Sequence, residues 1–436
     1  MTQTLVRVGT LLLAVAILLT GHGLQLTLLP IRAEYLGWTT QSIALTGSAY
    51  FLGFVVGCLV IPSIVAQVAH IRTFMVMAAL ATIALLGAGM FDDFAAWLVL
   101  RFGTGFAFAG LYMVIESWLS EAAPPDRRGT LLAVYSVISL LAMVAGQSFL
   151  ALAEPHDLRL VMGAAFILGL AILPIGLTRM VAPHPIPRVR FSLRVLSQAS
   201  RVAVVCALFG GLVTGALWSV GPLVGRAFGL DTGSIGLMMA FAIFGGAAAQ
   251  LPVGRLSDHT DRRFVIAGMF TLGCLLSVLG WQFSAQSPAM LYAAMFFIGA
   301  ASMPIYALCI ATAADNSQLP LIHIASGILI MNSIGSIFGP ILVAPLIGAL
   351  GGEGFFLFAA VSMLLGAGWA FYRISVVERS RSHEQKFLAM PKTSIVAAEL
   401  ADAEFDASII DPPPVHAAPP DDVGGSPDGE HPQQTR

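Results

Sequence analysis

The sequence predicts an all-α polytopic membrane protein, with 12 transmembrane helices in two six-helix pseudo-repeat bundles. The first observation is composition: 57% of the 436 residues are hydrophobic, only 11% are charged, and the mean hydropathy is +0.85. Soluble domains carry about 25% charged residues, so this composition is typical of membrane proteins. The other two observations are an internal repeat and a series of apolar segments, each long enough to cross a bilayer.

The apolar segments fall into two groups of six. Each has about 20 residues, the length that a helix needs to cross the hydrocarbon core. The first group covers 8–30, 41–65, 73–91, 94–120, 129–152 and 159–179. The second covers 203–224, 234–254, 264–284, 289–313, 321–349 and 353–373. The run at 321–349 is longer than one span requires, which predicts a loop or a tilted end within it.

The internal repeat relates the two groups at a separation of about 192 residues. The matching pairs are Pro30 and Pro222, Gly37 and Gly229, Thr40 and Thr232, Ser42 and Ser234, Ile43 and Ile235, Gly53 and Gly245, and Leu59 and Leu251. After a shift of two residues, Gly105, Tyr112 and Glu121 align with Gly299, Tyr306 and Asp315. A very apolar chain with such a repeat is typical of transporters that bind substrate between two halves.

The repeat divides the chain into four parts. Residues 1–182 predict the first bundle, 183–202 a basic cytoplasmic linker, and 203–375 the second bundle. Residues 376–436 are acidic and rich in proline, which predicts a disordered cytoplasmic tail. Most Arg and Lys residues outside the spans fall in loops on one side of the predicted topology. The positive-inside rule therefore predicts that both termini are cytoplasmic.

Several classes of function lack their sequence signals. The four cysteines stand alone in apolar runs, so we expect neither disulfides nor a metal site. The chain has no GxxxxGK[ST], HExxH or GxSxG motif, so we expect no cofactor and no enzymatic activity. The net charge of −2 leaves no basic face for nucleic acid. We expect a small-molecule substrate and the lipid bilayer as partners of a monomer.

A motif between spans eight and nine carries a family resemblance. Residues 254–263 read GRLSDHTDRR and resemble the loop signature G-x-L-a-D-r-x-G-r-k of the major facilitator superfamily. The matching residues are Gly254, Leu256, Asp258, Arg262 and Arg263, whereas Asp261 replaces the expected glycine. The first-half counterpart has no acidic residue and keeps only His70 and Arg72. The strings VIESW at 114–118 and QLPVG at 250–254 resemble the YcaD-type bacterial carriers.

The resemblance implies a secondary transporter of a bacterial-type inner (plasma) membrane that works by alternating access. It also implies a gate formed by Gly254, Asp258, Arg262 and Arg263. In this family the carboxylate pairs with basic side chains and the start of a neighbouring helix, here the eleventh, and holds one gate conformation. A solvated turn that follows the positive-inside rule is the alternative. We expect Gly254 to allow a tight chain reversal.

Three ionisable residues within the spans are candidates for proton coupling: Glu116, Arg101 and His22. Ionisable groups in a bilayer are costly, so each requires a partner or a wet cavity. Arg101 has a structural ion pair or a carbonyl clamp as its alternative. Glu116 has a pair with Arg127, Arg128 or Arg72 as its alternative. A structural hydrogen bond is the alternative for His22.

The resemblance also implies that spans one, four, seven and ten line the substrate cavity. Polar and aromatic residues on these spans, with one on span eleven, are the cavity candidates: Gln25, Tyr112, Thr214, Trp218, Ser302, Tyr306 and Asn332. Hydrogen bonding between helices of the bundle is the alternative for each of them.

With few central charges and an aromatic, apolar lining, the sequence favours proton-coupled export of a small amphipathic or apolar solute. Uptake or export of a small polar metabolite such as a sugar is the alternative. A more remote alternative is a membrane sensor or scaffold that signals through the tail without transport. Truncation at Glu378 would distinguish that case, because signalling would be lost while ligand binding remained.

Overall fold

The computed structural model describes residues 2–122, 128–154, 157–177, 200–315, 317 and 321–376. Side chains are described from residue 8 onward, except at 120–130, 132 and 318–322 and in the other gaps. Residues 183–199 of the predicted linker (183–202) and 377–436 of the predicted tail (376–436) lie outside the described residues.

Twelve helical spans are long and apolar enough to cross a membrane within the described chain. The first half contains α1 (Thr2–Tyr35), α2 (Thr40–Val68), α3 (His70–Met90), α4 (Phe94–Ala122), α5 (Arg128–Ser148, then a 3-10 turn Phe149–Leu152) and α6 (Leu158–Leu170, continued by Ile172–Gly176). The second half contains α7 (Arg201–Ala227), α8 (Thr232–His259), α9 (Arg262–Phe283), α10 (Pro288–Asp315), α11 (Leu321–Leu350) and α12 (Glu353–Val376). All 12 predicted spans are confirmed.

The longest predicted run forms one continuous helix, so the predicted loop within it is wrong. Helix α11 extends over 30 residues and contains Pro340 and Pro345 without ending at either of them. Its length is about 45 Å at about 1.5 Å per residue. Because the hydrocarbon core is only about 30 Å thick, α11 must tilt or extend beyond it.

The repeat is visible in the helix ends. Gly37 follows α1 with φ 80° and Gly229 follows α7 with φ 79°, a left-handed conformation that glycine adopts without a Cβ clash. The side chains of Thr39 and Asp231 then cap α2 and α8 by accepting backbone N–H groups of the first turn. Hydrogen bonds from the Ser234 side chain and backbone lower the pKa of the Asp231 carboxyl.

The repeat is also visible where helices cross closely. Glycines of one helix lie against the backbone of another at equivalent places in the two halves: Gly53 at Phe102 and Gly105 at Tyr50 between α2 and α4, and Gly245 at Phe296 and Gly299 at Ala242 between α8 and α10. Gly335 and Gly339 of α11 likewise lie against the backbone of α7. Small residues permit such crossings in membranes.

The two halves contact each other toward the end that holds the α1–α2 and α7–α8 connections. The Ser48 hydroxyl donates to the Ile337 carbonyl of α11 at 2.6 Å. The Arg226 Nε of α7 lies 3.1 Å from the Glu34 carboxylate of α1. By contrast, α4 and α5 make no extended contact with α10 or α11 within the described chain. The halves are therefore joined at one end, and a cavity separates them toward the other.

Candidate functional site

The cavity between the halves has a volume of about 1250 Å³, including open solvent at its mouth. Much of its wall is aromatic, formed by Tyr50, Phe51, Phe54, Tyr112, Trp218 and Tyr306. Hydroxyl and amide side chains are interspersed, and His22 is the one basic side chain among the described lining residues. No Asp, Glu, Lys or Arg of the described chain lines this wall. The surface thus suits an uncharged molecule with an apolar body and a few polar groups.

Six of the seven predicted cavity residues line this cavity. They are Tyr112, Thr214, Trp218, Ser302, Tyr306 and Asn332. The seventh, Gln25, lies behind the wall, and its Nε2 is 2.9 Å from His22 Nδ1. The structure therefore places the candidates together, while their role in binding stays a prediction.

Other lining residues were missed because the family resemblance drew attention to four spans. Helices α2, α5, α8 and α11 also line the cavity, through Tyr50, Ser139, Gln250 and Ser333 among others. A sequence signal exists for α5, where Ser136 and Ser139 are three residues apart and share a helix face.

His22 is fixed in the wall by aromatic rings and by Gln25. Its ring stacks on Phe108 with centroids 3.7 Å apart. Its Nε2 lies 3.5 Å from the Tyr50 hydroxyl, at the limit of a hydrogen bond. With Gln25 Nε2 as donor, Nδ1 is the acceptor and the proton of the neutral ring sits on Nε2. Protonation of Nδ1 would require the Gln25 amide to turn and present its oxygen.

Arg101 lies beside an aromatic ring and not in the ion pair that was one alternative to its proton-coupling role. The residue is 4% exposed, and its guanidinium carbon lies 4.9 Å from the centroid of the Tyr50 ring. Its Nη1 has no hydrogen-bond partner within the described chain. A cation–π contact offsets only part of the cost of burying a charge. Tyr50 thus connects Arg101 on one side with the cavity on the other.

Glu116 is completely buried on α4, with 0% exposure. The Tyr135 hydroxyl of α5 donates to its Oε1 at 3.4 Å. Among its predicted pairing partners, Arg72 is exposed, and the side chains of Arg127 and Arg128 lie outside the described residues. Both interpretations of Glu116, ion pair and proton coupling, stay open.

The predicted gate residues form a cluster at the ends of three helices. The guanidinium of Arg262 on α9, 2% exposed, bridges Asp258 of α8 at 3.3 Å and Asp315 of α10 at 3.1 Å. Asp261 caps the first turn of α9 and pairs with Arg263 at 2.8 Å. Asp315 was not predicted as a gate residue, although the repeat had aligned it with Glu121.

One expectation about this cluster differs from the structure, and another stays a prediction. Gly254 was expected at a chain reversal, but it lies within α8, where the Ser257 hydroxyl donates to its carbonyl at 2.8 Å. The chain reverses at Thr260 and Asp261, because the apolar helix continues to His259. The expected partner helix, α11, begins at Leu321, whose side chain lies outside the described residues.

Comparison with known proteins identifies the family. The model of the Major Facilitator Superfamily matches residues 11–204 and 203–409. The chain belongs to this superfamily. A relative from Escherichia fergusonii, the MFS-type transporter YcaD, is 27% identical over 341 residues, covering 78% of this chain and 87% of the relative. The MFS-type transporter Ent638_1421 of Enterobacter sp. (strain 638) is 29% identical over 349 residues, with 78% and 87% coverage. The predicted YcaD-type resemblance is confirmed.

Solved structures of transporters share the fold. A mutant of the nucleoside transporter NupG superposes with a TM-score of 0.71 at 12% identity, covering 84% of this chain and 99% of that one. A bacterial homologue of the human lysosomal transporter Spinster, in an inward-facing and unoccupied conformation, gives 0.64 at 16% identity, with 91% and 96% coverage. The chain is thus a membrane transporter of the superfamily, and its bacterial relatives support a multi-pass inner-membrane protein.

The superfamily loop in the first half is built differently from the one in the second. Ala69 alone joins α2 to α3, with φ 67°, where the second half has the capping Asp261. His70, which the repeat aligns with Arg262, is buried, and its Nε2 lies 3.0 Å from the Ser117 hydroxyl of α4. The His70–Ser117 hydrogen bond therefore lies where the second half has the Arg262 ion pairs.

Proposed function

We propose that the protein is a proton-coupled exporter of a small amphipathic or apolar solute, working by alternating access with both termini in the cytoplasm. The observation that carries this proposal is the wall of the cavity, whose surface is mostly apolar, with six Phe, Tyr and Trp side chains, and which has no Asp, Glu, Lys or Arg among its described lining residues. The wall also offers hydroxyl and amide groups, but most of its surface is apolar, and an aromatic solute gains free energy from burial against its rings.

The orientation supports loading from the cytoplasm. The loops that are rich in arginine, including those at Arg72 and Arg262, lie at the end where the halves are apart. The positive-inside rule places that end in the cytoplasm. The Glu34–Arg226 pair and the Ser48–Ile337 hydrogen bond keep the opposite end together. In this orientation the described conformation is open to the inside, as an exporter requires for loading.

Proton coupling is supported by the position of the buried ionisable groups near the cavity. His22, Arg101 and Glu116 all belong to the first half, and the repeat aligns them with Thr214, Met295 and Ile310 in the second, none of which is ionisable. The second half contributes neutral polar groups such as Thr214 and Ser302 to the wall. We assign proton loading to the first half and most of the neutral solute contacts to the second.

The Arg262 cluster is the proposed cytoplasmic gate. It joins the ends of α8, α9 and α10, so these three helices move together when the halves rock. Asp258 is the more exposed of its two carboxylates, with 28% side-chain exposure against 7% for Asp315. Asp258 is therefore the one placed to exchange Arg262 for a partner on another helix during the cycle.

Ligand-dependent thermal stabilisation of the purified protein tests the proposed substrate class. The panel contains chloramphenicol and 2-naphthol as neutral amphipathic probes, with glucose, uridine, alanine and succinate as polar ones, at an acidic and an alkaline pH. We expect stabilisation by the amphipathic probes that weakens at acidic pH. A ligand at about 100 times its Kd adds about 2.7 kcal/mol to stability, which is readily measured. Stabilisation by the polar probes alone would replace the proposal with a metabolite carrier.

Glu116→Gln is expected to abolish the pH dependence of transport, because glutamine mimics the protonated carboxyl and cannot exchange a proton. The measurement is efflux of the stabilising amphipathic probe from proteoliposomes at matched and opposed pH gradients. The control is Glu353→Gln, which neutralises a carboxylate at the start of α12, away from the cavity. A Glu116→Gln variant that folds and responds to the gradient like the parent protein would exclude the proton-coupling role.

A further inference from the structure

The amide of Asn332 on α11 is held in one orientation. Its Nδ2 lies 3.0 Å from the carbonyl oxygen of Ala207 on α7. A backbone carbonyl only accepts hydrogen bonds, so the NH2 end of the amide must face it. The orientation of this side chain therefore follows from the chemistry of its partner.

The other end of this amide is left without a partner. Asn332 is 2% exposed, and its Oδ1 has no hydrogen-bond donor within the described chain. Buried polar atoms are nearly always satisfied, and an unsatisfied one in a native protein calls for an explanation. Asn332 lines the cavity but its Oδ1 is itself buried, so a molecule in the cavity supplies the donor once the wall beside Oδ1 shifts to admit it.

Two other buried amides show what is particular to Asn332. Gln25 and Gln147 also direct their nitrogens to protein partners and leave their oxygens unpaired. Neither of them lines the cavity. Among the described cavity residues, Asn332 is thus the one with a buried side-chain acceptor that lacks a partner.

We infer that Asn332 selects solutes that carry a hydrogen-bond donor, an O–H or N–H group, on an uncharged aromatic body. This inference rests on the proposed function and narrows its substrate class. The donor satisfies Oδ1, while Trp218 and Tyr306 of the same half supply aromatic surface to the body. A site built to bind such a group discriminates against the analogue that lacks it, because its own polar atom is then left unpaired.

Matched pairs of probes test this inference. The first pair is 2-naphthol and 2-methoxynaphthalene, which share ring and oxygen but differ in the O–H. The second pair is indole and 1-methylindole, which differ in the N–H. Binding of each to the purified full-length protein is measured by calorimetric titration. We expect the parent protein to prefer the donor of each pair by about 5-fold to 10-fold, the effect of one hydrogen bond.

Asn332→Leu is expected to reduce that preference to about 1-fold in both pairs. Comparing ratios between the parent protein and the variant cancels the difference in hydrophobicity within a pair. Ser336→Ala is the matched control: its hydroxyl bonds the Gly211 carbonyl of α7 at 3.2 Å, one turn from Ala207, but it does not line the cavity. Ser336→Ala should keep the parent protein's preference for the hydrogen-bond donor of each pair. Asn332→Ser replaces the leucine variant if the latter does not fold.

The outcomes separate this inference from the proposed function. Equal binding of both members of each pair, the result expected if water alone satisfies Oδ1, overturns the role of Asn332. It leaves the exporter proposal standing. An unchanged preference in Asn332→Leu also overturns the inference. If the parent protein binds no aromatic probe, the proposed substrate class fails and the inference fails with it.

Discussion

Alanine at Gly105 is expected to separate α2 from α4 and to lower the yield of folded protein severely. A Cβ at this position would overlap the carbonyl oxygen of Tyr50 and approach the backbone of Phe54. Backbone atoms cannot move aside as side chains do, so the two helices must part along their length. We expect a cost at or above the ~1–3 kcal/mol of ordinary overpacking. Thermal unfolding in detergent measures it.

The matched control lies two residues away on the same helix. A Cβ at Gly103 would meet nothing within 4 Å. Gly103→Ala should therefore leave stability unchanged or raise it by up to about 1 kcal/mol, the gain in helix propensity. Gly299→Ala, at the equivalent crossing against Ala242, should resemble Gly105→Ala. Equal stability of the Gly103 and Gly105 variants would show that the α2–α4 crossing is looser than described.

Replacing Arg262 with methionine is the second change with a large expected effect. The substitution keeps most of the side-chain volume but removes the guanidinium that bridges Asp258 and Asp315. Breaking a buried ion pair by removing one partner costs about 3–5 kcal/mol. We therefore expect a marked fall in the unfolding temperature of the purified protein, together with loss of transport.

Arg255→Met provides the control, because Arg255 is exposed near the same end of α8. It should leave both stability and transport close to those of the parent protein. Asp258→Asn then separates gating from folding: Arg262 keeps Asp315, so the fold should persist while transport falls. Normal transport by a well-folded Asp258→Asn variant would remove Asp258 from the gate.

The number and positions of the spans could be predicted because each depends on local composition. Hydropathy identifies each apolar run that is long enough to cross a bilayer, and the internal repeat relates it to a corresponding run in the other half. The same dependence left two alternatives open at α11, a loop or a tilted end, because hydropathy measures the length of a run but not whether the helix tilts to accommodate it. Gly254 was misplaced because glycine allows a reversal without requiring one, and α8 continues to His259.

The depth of the site residues in the membrane could be predicted from the sequence. The rotation of each helix about its own axis could not. Spacing along a helix placed Thr214, Trp218 and Tyr306 at the level of the cavity, and they line it. The contact of Arg101 with the Tyr50 ring depends instead on how α2 and α4 turn toward each other. That rotation is set by the tertiary packing at Gly53 and Gly105, which spacing within one helix does not contain.

The ion pair between Glu34 and Arg226 joins two residues that are 192 positions apart, the separation of the repeat itself. They are therefore the same position in the two halves, and the pseudo-twofold axis passes between them. In a symmetric dimer of one half, this position would face its own copy, and any charge there would meet a like charge and repel it. Attraction across the axis requires the two halves to differ at this position, so this contact became possible only once the repeated halves had diverged in sequence.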